Sequence, residues 1–169
     1  MTPECNPTMK PDRPVLDDVT ITHLLRAYLD AHYRWGTGGR WHPVVIGKPL
    51  PDIEACFPQA ARFGMLSAWN PLSVPRPEAR NRAEDRRLEA RLQAGGWGHV
   101  PGFASAPNRT WREPNWLVAG ITPAELDALA REFRQLGTLQ WERGQPVRLR
   151  MDAPRPALVA PQRYVDWIQ

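Results

Sequence analysis

The sequence predicts a single domain of the α/β or α+β class, with about three main helices packed on a mixed sheet of about five strands. The chain has 169 residues, 42% of them hydrophobic, which is enough to bury one core without disulfides. Apolar residues at helical spacing alternate along the chain with short apolar runs typical of strands. Many of the 19 prolines concentrate near the two ends and in one central loop, so the elements between them are left intact.

The distribution of proline predicts two tails around one globular unit. Residues 1–17 are polar and rich in proline, which predicts a flexible N-terminal tail. Residues 18–151 carry the regular patterns and form the predicted globular domain. Residues 152–169 become proline-rich again but contain apolar side chains with which this second tail is expected to dock on the domain or on a protein partner. These are Tyr164, Val165, Trp167 and Ile168.

The first predicted helix covers residues 19–33. Its apolar residues recur three and four positions apart, so they form one face of an amphipathic helix. Asp17 or Asp18 is available to cap the first turn. The apolar residues are Ile21, Leu24, Leu25, Tyr28 and Leu29, with His32 at the edge of the stripe.

The next segment predicts a turn, a strand and a short helix. Gly36-Thr37-Gly38-Gly39 is rich in glycine, but no Lys-Ser/Thr pair follows it and it leads into the strand-like Val44-Val45-Ile46. These features favour a flexible turn over a phosphate-binding loop. Residues 52–61 are expected to form a short helix.

A strand, a proline-rich loop and a long charged helix occupy residues 62–92, around which we expect the domain to be organised. Phe63 to Trp69 is apolar enough for a central strand. The helix predicted over residues 78–93 has nearly balanced charges at spacings of three and four, which indicates an ion-paired, solvated face. Asn81 precedes Leu88 by seven residues, about two helical turns, so we expect it on the narrow buried face.

The C-terminal half of the domain predicts a long loop, a strand, a helix and two further strands. Residues 97–115 are rich in glycine, proline and aromatic residues and are expected to be irregular, and loops of that length are often functional. Residues 116–119 are strand-like. Thr122-Pro123-Ala124-Glu125 combines a capping threonine, a proline in the first helical position and a glutamate three residues after the cap. Residues 138–141 and 147–151 predict two strands with a hairpin-like connection.

Charge and composition argue against several classes of function. The net charge of +4 is modest and does not by itself predict an anionic partner. No window approaches 18 uninterrupted apolar residues, and the N-terminus lacks a basic region followed by an apolar one, so we expect a cytoplasmic protein with no membrane partner. The two cysteines, Cys5 and Cys56, and the four histidines lack metal-ligand spacing, so neither a metal nor another cofactor is expected.

Four motifs occur in one order: a strand ending in Ala-Trp-Asn-Pro, a helix with an early asparagine and two later leucines, Trp-x-Glu-Pro before a strand, and Phe-x-Gln before another strand. In these motifs the chain resembles the bacterial family known as domain of unknown function 3293, over roughly residues 24–151. The resemblance implies a fold and a set of site residues, but no activity. The chain departs from the family pattern at Arg80, where members often carry an acidic residue, and at Asn115, where they often carry serine. The matching residues are Ala68 to Pro71, Asn81, Leu88, Leu92, Trp111, Glu113, Pro114, Phe133 and Gln135.

Four polar residues lie at the end of, or just inside, an apolar element: Asn70, Asn81, Glu113 and Gln135. Buried polar groups need partners, so one interpretation is that the four satisfy one another and hold the loops against the sheet. The other is that they line a cleft with aromatic side chains, in which Glu113 is the candidate catalytic residue, a general base desolvated by its neighbours. The ligand-binding residues in that second interpretation are Trp69, Asn70, Asn81, Arg82, Trp111 and Gln135.

Three functions remain open on the sequence. The first is a domain that binds a small molecule or nucleotide-like ligand, with weak hydrolase or transferase activity as an extension of it. The second is a protein-interaction or regulatory module that uses the C-terminal tail or the proline-rich loop, with no catalysis. The third is nucleic-acid binding through the arginine-rich helix, which the balanced charges of that helix disfavour. Whether the protein is an enzyme stays open, because no nucleophile has an adjacent base.

Overall fold

The structure is a computed structural model that describes residues 15–169. One eight-stranded sheet carries four α-helices, so the predicted α+β class with a mixed sheet is confirmed. Residues 1–14 of the predicted N-terminal tail lie outside the described residues. The elements in chain order are α1 (Asp18–Asp30), β1 (His32–Thr37), β2 (Arg40–Val44), α2 (Pro51–Cys56), β3 (Arg62–Leu66), α3 (Glu78–Ala94), β4 (Gly98–Ser105), β5 (Arg112–Ala119), α4 (Pro123–Glu132), β6 (Gly137–Glu142), β7 (Arg148–Met151) and β8 (Val165–Trp167).

The strands follow the order β2-β1-β4-β5-β3-β6-β7-β8. Every neighbouring pair is antiparallel except β7 and β8, which run parallel. The expectation of about five strands was too low because three strands were missed. β4 lies in the stretch predicted to be irregular, β1 begins where α1 was expected to continue, and β8 comes from the proline-rich C-terminal segment.

The sheet curls so that the segment after β2 reaches the start of β7. Ile46 forms a parallel bridge with Val147. The Gly47 amide donates to the Val147 carbonyl at 2.8 Å, and the Val147 amide donates to the Lys48 carbonyl at 3.0 Å. Because β2 and β7 lie near opposite ends of the strand order, this contact joins the two sides of the sheet. Curling in this way gives backbone partners to positions that would otherwise lie at an edge.

Two hydrophobic cores cover the two faces of the sheet. The first core packs α1 and α2 against one face, through Leu25 and Ile53. The second core packs α3 and α4 against the other face, through Leu88, Leu92 and Leu126. The central strands β3 and β5 therefore place alternate side chains into alternate cores, as the two-residue period of a strand requires. Met65, for example, lies in the first core, and its neighbour Leu66 lies in the second.

Local signals explain where the helices begin. Thr122 and Glu125 form the predicted capping box: the Glu125 amide donates to Thr122 Oγ1, and Glu125 Oε2 accepts from the Thr122 amide at 2.8 Å. Asp17 caps α1 by accepting from the Thr20 amide at 2.7 Å. Asn81 lies on the buried face of α3, as its spacing to Leu88 predicts.

Several boundaries differ from the sequence prediction. The helix expected over residues 52–61 ends at Cys56, only Val44 of the strand-like segment 44–46 lies in β2, and the strand expected from Phe63 to Trp69 ends at Leu66 as β3. α1 ends at Asp30 instead of continuing to residue 33, because Ala31 adopts an extended conformation and His32 begins β1. The predicted irregular segment 97–115 instead contains β4 and the first half of β5, which form a long antiparallel pair joined by a short loop. Its glycines serve close packing within the sheet: a Cβ on Gly102 would lie 2.7 Å from the Arg34 carbonyl oxygen of β1.

The C-terminal segment contributes a strand to the sheet. β8 pairs with β7, and Val165 is buried in the first core. Asp166 accepts two hydrogen bonds from the Arg148 guanidinium, at 2.9 and 2.7 Å, in the bidentate geometry favoured by arginine and carboxylate. The apolar residues near the end of the chain therefore pack on the chain's own sheet.

Candidate functional site

Antiparallel pairing brings three of the predicted polar positions to one end of the sheet. β3 is the central strand and lies between β5 and β6. Leu66, the last residue of β3, pairs with Trp116 in the first half of β5, and Met65 pairs with Leu139 near the start of β6. The residues that follow β3 therefore meet those that begin β5 and β6, although they are far apart in sequence.

At this end of the sheet lies a cavity of about 300 Å³, which we call the α1 cavity because α1 covers it. Its apolar surface comes from α1, β3, β4 and β6, and its polar groups come from the strand ends and adjoining loops. The apolar and aromatic lining residues are Leu24, Ala27, Tyr28, Tyr33, Met65, Pro75, Ala104, Trp111 and Leu139. The polar lining residues are Ser67, Asn70, Ser73, Glu113, Asn115, Gln135 and Thr138, and Gly137 completes the wall.

A hydrogen bond between Asn70 and Glu113 ties two sides of the α1 cavity together. Asn70 Nδ2 donates to Glu113 Oε1 at 2.6 Å. Asn70 Oδ1 accepts from Asn81 Nδ2 at 2.8 Å and from the Arg76 amide at 3.2 Å. The orientation of the Asn70 amide is thereby fixed, since its oxygen faces two donors and its nitrogen faces a carboxylate. Asn70 holds the Glu113 carboxyl in place.

Asn81 lies behind Asn70 and uses its whole side chain for internal contacts. It is only 2% exposed and does not line the α1 cavity. Its Oδ1 accepts from the Asn70 amide at 2.9 Å and from Arg76 Nε at 2.7 Å, while its Nδ2 donates to Asn70 and to the Arg76 carbonyl. With two donors and two acceptor positions engaged, Asn81 positions Asn70 and has no group left for a ligand.

The loop after β3 has an unusual backbone. Asn70, Leu72 and Ser73 all have positive φ, between 44° and 59°. Asparagine tolerates this left-handed conformation, but leucine rarely adopts it. The Leu72 amide donates to the Arg134 carbonyl at 2.8 Å, which holds the turn against the segment after α4. Backbone strain of this kind costs about 1–3 kcal/mol per residue and clusters at functional sites.

Amides on two other strand ends present oxygens that the protein itself leaves without donors. Gln135 Nε2 donates to the Trp69 carbonyl at 3.0 Å and to the Phe133 carbonyl at 3.2 Å, so its Oε1 must face away from both. Asn115 Nδ2 donates to the Glu113 carbonyl at 3.0 Å, which fixes that amide in the same way. Neither amide oxygen accepts a hydrogen bond from residues 15–169, and the same is true of Glu113 Oε2.

Burial shifts the titration of the ionisable side chains of the α1 cavity. It raises the pKa of Glu113, an effect that the hydrogen bond from Asn70 partly offsets. Burial also raises the pKa of Tyr28 to about 12, against a smaller opposing effect of its hydrogen bond to Ser73. The pKa of Tyr33 is raised by burial as well. Both tyrosines are therefore neutral near pH 7, and Glu113 is the acidic group of the cavity that titrates nearest to it.

The structure brings four of the seven predicted site residues to the α1 cavity: Asn70, Trp111, Glu113 and Gln135. Asn81 lies behind the wall as described. Arg82 lies elsewhere, on the exposed side of α3, where its Nε donates to Glu78 at 2.7 Å. Trp69 does not line the cavity, and its buried Nε1 has no hydrogen-bond partner within residues 15–169. The two interpretations of the polar residues thus both hold in part, because Asn81 is structural and the other three line a cavity.

Several residues of the site were not predicted. Arg76 precedes the charged helix predicted over residues 78–93, and its Nε donates to Asn81 while its Nη2 donates to the Ala68 carbonyl at 3.2 Å. Tyr28 and Tyr33 belong to apolar patterns and resemble core residues in the sequence. Asn115 could have been found from its position two residues after Glu113, since alternate residues of a strand face the same side. Nothing in the sequence singles out the tyrosines.

The arginines of α3 form ion pairs with acidic residues nearby. Arg87 lies 3.3 Å from Glu84 on the same helix, and the Arg91 guanidinium lies 3.2 Å from Glu132 of α4. These pairs are partly exposed and contribute little to stability. Arg82, Arg87 and Arg91 are engaged in ion pairs, so this part of the helix presents a mixed surface instead of a continuous basic stripe.

The described part of the chain has two further features that bear on function. None of its helices is long and apolar enough to span a lipid bilayer. Within residues 15–169, no three or more histidine, cysteine, aspartate or glutamate side chains are grouped so that they could hold a metal ion.

Comparison with known proteins identifies the central segment. No curated protein and no solved structure matches the chain significantly. A family model described as "Protein of unknown function (DUF3293)" matches residues 66–137, which is a shorter span than the motifs suggested. The match contains Asn70, Asn81, Glu113 and Gln135, so the polar residues described above lie within it. The resemblance drawn from the four motifs is therefore confirmed over this central segment, residues 66–137.

Proposed function

We propose that the protein is a ligand-binding domain and that its ligand is a small organic molecule held in the α1 cavity. One observation carries this proposal: an apolar cavity of about 300 Å³ has unpaired polar atoms at its rim, held in fixed orientations by hydrogen bonds from behind. Small-molecule sites combine these features, an apolar body with a few oriented polar groups, and their volumes start near this value.

Catalysis is supported less well than binding. Ser67 is the hydroxyl nearest the end of β3, but it donates to the Pro114 carbonyl at 2.9 Å and accepts from the Trp69 amide, so it has no base beside it. Glu113 is the one carboxyl lining the cavity, and the burial that raises its pKa suits it to transfer a proton. A weak hydrolase or transferase activity, if the protein has one, would therefore depend on Glu113 and disappear in Glu113→Gln.

The two alternative functions have less support from the geometry. The apolar residues of the C-terminal segment, with which a partner would be bound, are used in β8 and the first core. The arginines of α3 pair with acidic neighbours, whereas a nucleic-acid surface would need them directed at phosphates.

A thermal-shift screen against nucleotides, sugars, amino-acid derivatives and other small metabolites tests the proposal. We expect at least one compound class to raise the melting temperature at millimolar concentration, because a ligand that binds only the folded state stabilises it. Trp111→Ala should weaken that effect, since Trp111 lines the α1 cavity and is 38% exposed, so its removal is tolerated by the fold. Trp41→Ala is the matched control: Trp41 is 44% exposed and lies outside the cavity.

The screen has two informative negative results. Equal loss of ligand response in Trp111→Ala and Trp41→Ala would place the ligand somewhere other than the α1 cavity. No stabilisation of the wild-type protein by any compound class would overturn the proposal.

A further inference from the structure

The described residues that line the α1 cavity include an acidic side chain but no basic one. Glu113 is a carboxyl, and no lysine, arginine or histidine is among the residues that line the cavity. The nearest guanidinium in the hydrogen-bond network is that of Arg76, which is engaged by Asn81 Oδ1 and the Ala68 carbonyl. The pKa of Glu113 is governed by burial and by the neutral amide of Asn70, with no opposing contribution from a basic group. Within residues 15–169 the carboxylate form of Glu113 therefore has no basic side chain paired with it.

Three of the unpaired polar atoms of the cavity residues are oxygens that can only accept, whereas the Thr138 hydroxyl and Trp111 Nε1, which can donate, are also unpaired within residues 15–169. Glu113 Oε2, Gln135 Oε1 and Asn115 Oδ1 accept no hydrogen bond from the described chain, while the amide nitrogens of Gln135 and Asn115 are committed to backbone carbonyls. A ligand that satisfies these oxygens must bring N–H or O–H donors. A primary ammonium group brings three donors together with the positive charge that Glu113 lacks.

The remaining walls suit the same kind of ligand. Tyr28, Tyr33 and Trp111 line the cavity, and aromatic rings attract cations through their π faces. Leu24, Met65 and Leu139 supply an apolar surface for the rest of the molecule. A phosphate or carboxylate ligand would instead place a second anion beside Glu113 with no cation to pair with it.

From these features we infer that the ligand of the α1 cavity is a small organic cation, an amine with an apolar or aromatic body, whose ammonium group pairs with the Glu113 carboxylate and donates to the amide oxygens of Gln135 and Asn115. This inference rests on the proposed ligand-binding function and narrows it to a chemical class. It removes nucleotides from the candidate ligands, because their phosphates carry the wrong charge.

Matched compounds that differ only in the charged group test the inference. The probes are 2-phenylethylamine, 2-phenylethanol and phenylacetate, together with hexylamine, hexanol and hexanoate, titrated into the full-length protein and followed by calorimetry and by NMR shifts of tryptophan side chains. We expect the amine of each set to bind at least about tenfold more tightly than the alcohol, a difference of about 1.4 kcal/mol, and the carboxylate to bind weakest. Glu113→Gln should abolish the preference for the amine.

Asp85→Asn is the control for the loss of one carboxylate. Asp85 is a partly buried acid on α3 that accepts from Trp116 Nε1 at 3.2 Å and does not line the cavity, so the preference for amines should survive its replacement. The inference is overturned if the alcohol or the carboxylate of a set binds as tightly as the amine, if Glu113→Gln retains the amine preference, or if neither amine binds at millimolar concentration. In each of these cases the proposed ligand-binding function still holds if the metabolite screen finds a neutral or anionic ligand whose effect depends on Trp111. Failure of the inferred ligand class can therefore be distinguished from failure of the proposed function.

Discussion

Asn70 and Glu113 are 43 positions apart in sequence, and a 2.6 Å hydrogen bond joins Asn70 Nδ2 to Glu113 Oε1. The bond connects the strained turn after β3 to the first residues of β5 at the rim of the α1 cavity. Asn81, at the start of α3, holds the Asn70 amide from behind. The position of the single acid of the cavity thus depends on a chain of side-chain amides, and this dependence can be tested one residue at a time.

Asn81→Ala should destabilise the protein by about 2–4 kcal/mol, because buried groups on Asn70 and Arg76 lose their partners. Since about 1 kcal/mol shifts the melting temperature by about 2–4 °C in a chain of this length, the change is easily measured by thermal or urea unfolding. Arg82→Ala, one position along the same helix, removes only an exposed ion pair and should change stability by less than about 0.5 kcal/mol. Equal effects of the two substitutions would contradict a structural role for Asn81.

The stability of the Glu113→Gln variant relative to that of the wild type should increase as the pH rises from about 4 to 7. Burial raises the pKa of Glu113 in the folded protein above its ordinary value of 4.5, so the unfolded chain loses this proton first and the wild type loses stability through that range. The amide keeps an acceptor for Asn70 and does not ionise. Melting temperatures of both proteins at several pH values check the sign.

Glu125→Gln is the control for this measurement, because its effect has the opposite sign. Hydrogen bonds from the Thr122 amide and hydroxyl lower the pKa of Glu125 in the folded state, so this carboxylate contributes stability that is lost as the pH falls through the lowered pKa. Glu125→Gln should therefore be most destabilising near neutral pH. If both variants change in the same direction with pH, burial of Glu113 is not the controlling factor.

Gly137→Ala should lower the affinity of the α1 cavity for its ligand, with a smaller effect on the free energy of unfolding. A Cβ at this position would lie 2.9 Å from Tyr28 Cε2, so the Tyr28 ring must move. That ring lines the cavity, and its hydroxyl lies 2.9 Å from Ser73 Oγ. Comparing the affinity for the best ligand of the screen with the melting temperature, in this variant and in Ser73→Ala, separates a displaced ring from a lost hydrogen bond. Unchanged affinity in Gly137→Ala would show that Tyr28 does not contact the ligand.

Val165→Ala should cost about 2 kcal/mol of stability, because Val165, the first residue of β8, is buried in the first core. Leu158→Ala, in the same C-terminal segment, should cost less than about 0.5 kcal/mol, since Leu158 is 99% exposed. Chemical unfolding of the two variants measures the difference. A negligible effect of Val165→Ala would mean that the C-terminal strand is not part of the stable sheet.

The parts of the fold that the sequence predicted well have strong local signals. α4 follows from the capping box of Thr122 and Glu125, and the burial of Asn81 follows from its spacing to Leu88. β4 had the opposite composition, with Gly98, Pro101 and Gly102 in one strand. Its pairing with β1 covers only residues 102–105, so Pro101 has a neighbouring strand on one side only. Tertiary packing, which the local pattern does not contain, decides the structure there.

The site was predictable where polar residues interrupt apolar elements, as Asn70, Glu113 and Gln135 do. The site was not predictable where tertiary packing determines which of several similar residues contacts it. Arg76 and Arg82 have the same side chain and lie six positions apart, yet the first lies against Asn81 and the second pairs with Glu78 on the surface. The turn with positive φ at Leu72 and Ser73 sets this difference, and no residue type at those positions predicts it.

The bridge between Ile46 and Val147 bears on whether the chain can be divided into parts that fold independently. The segment 66–137 shared with the family contains α3, β4, β5 and α4. The strands that flank β4 and β5 in the sheet, β1 and β3, lie almost entirely before it, and β6 begins only at its last residue. Excised alone, it would expose two unpaired strand edges and would keep only Ala104, Leu117 and Ala119 of the first core, although it contains every buried residue of the second. We therefore expect that the shared segment does not fold alone, because the parts of the chain before and after it, joined to each other through residues 46 and 147, supply the neighbouring strands and most of the first core.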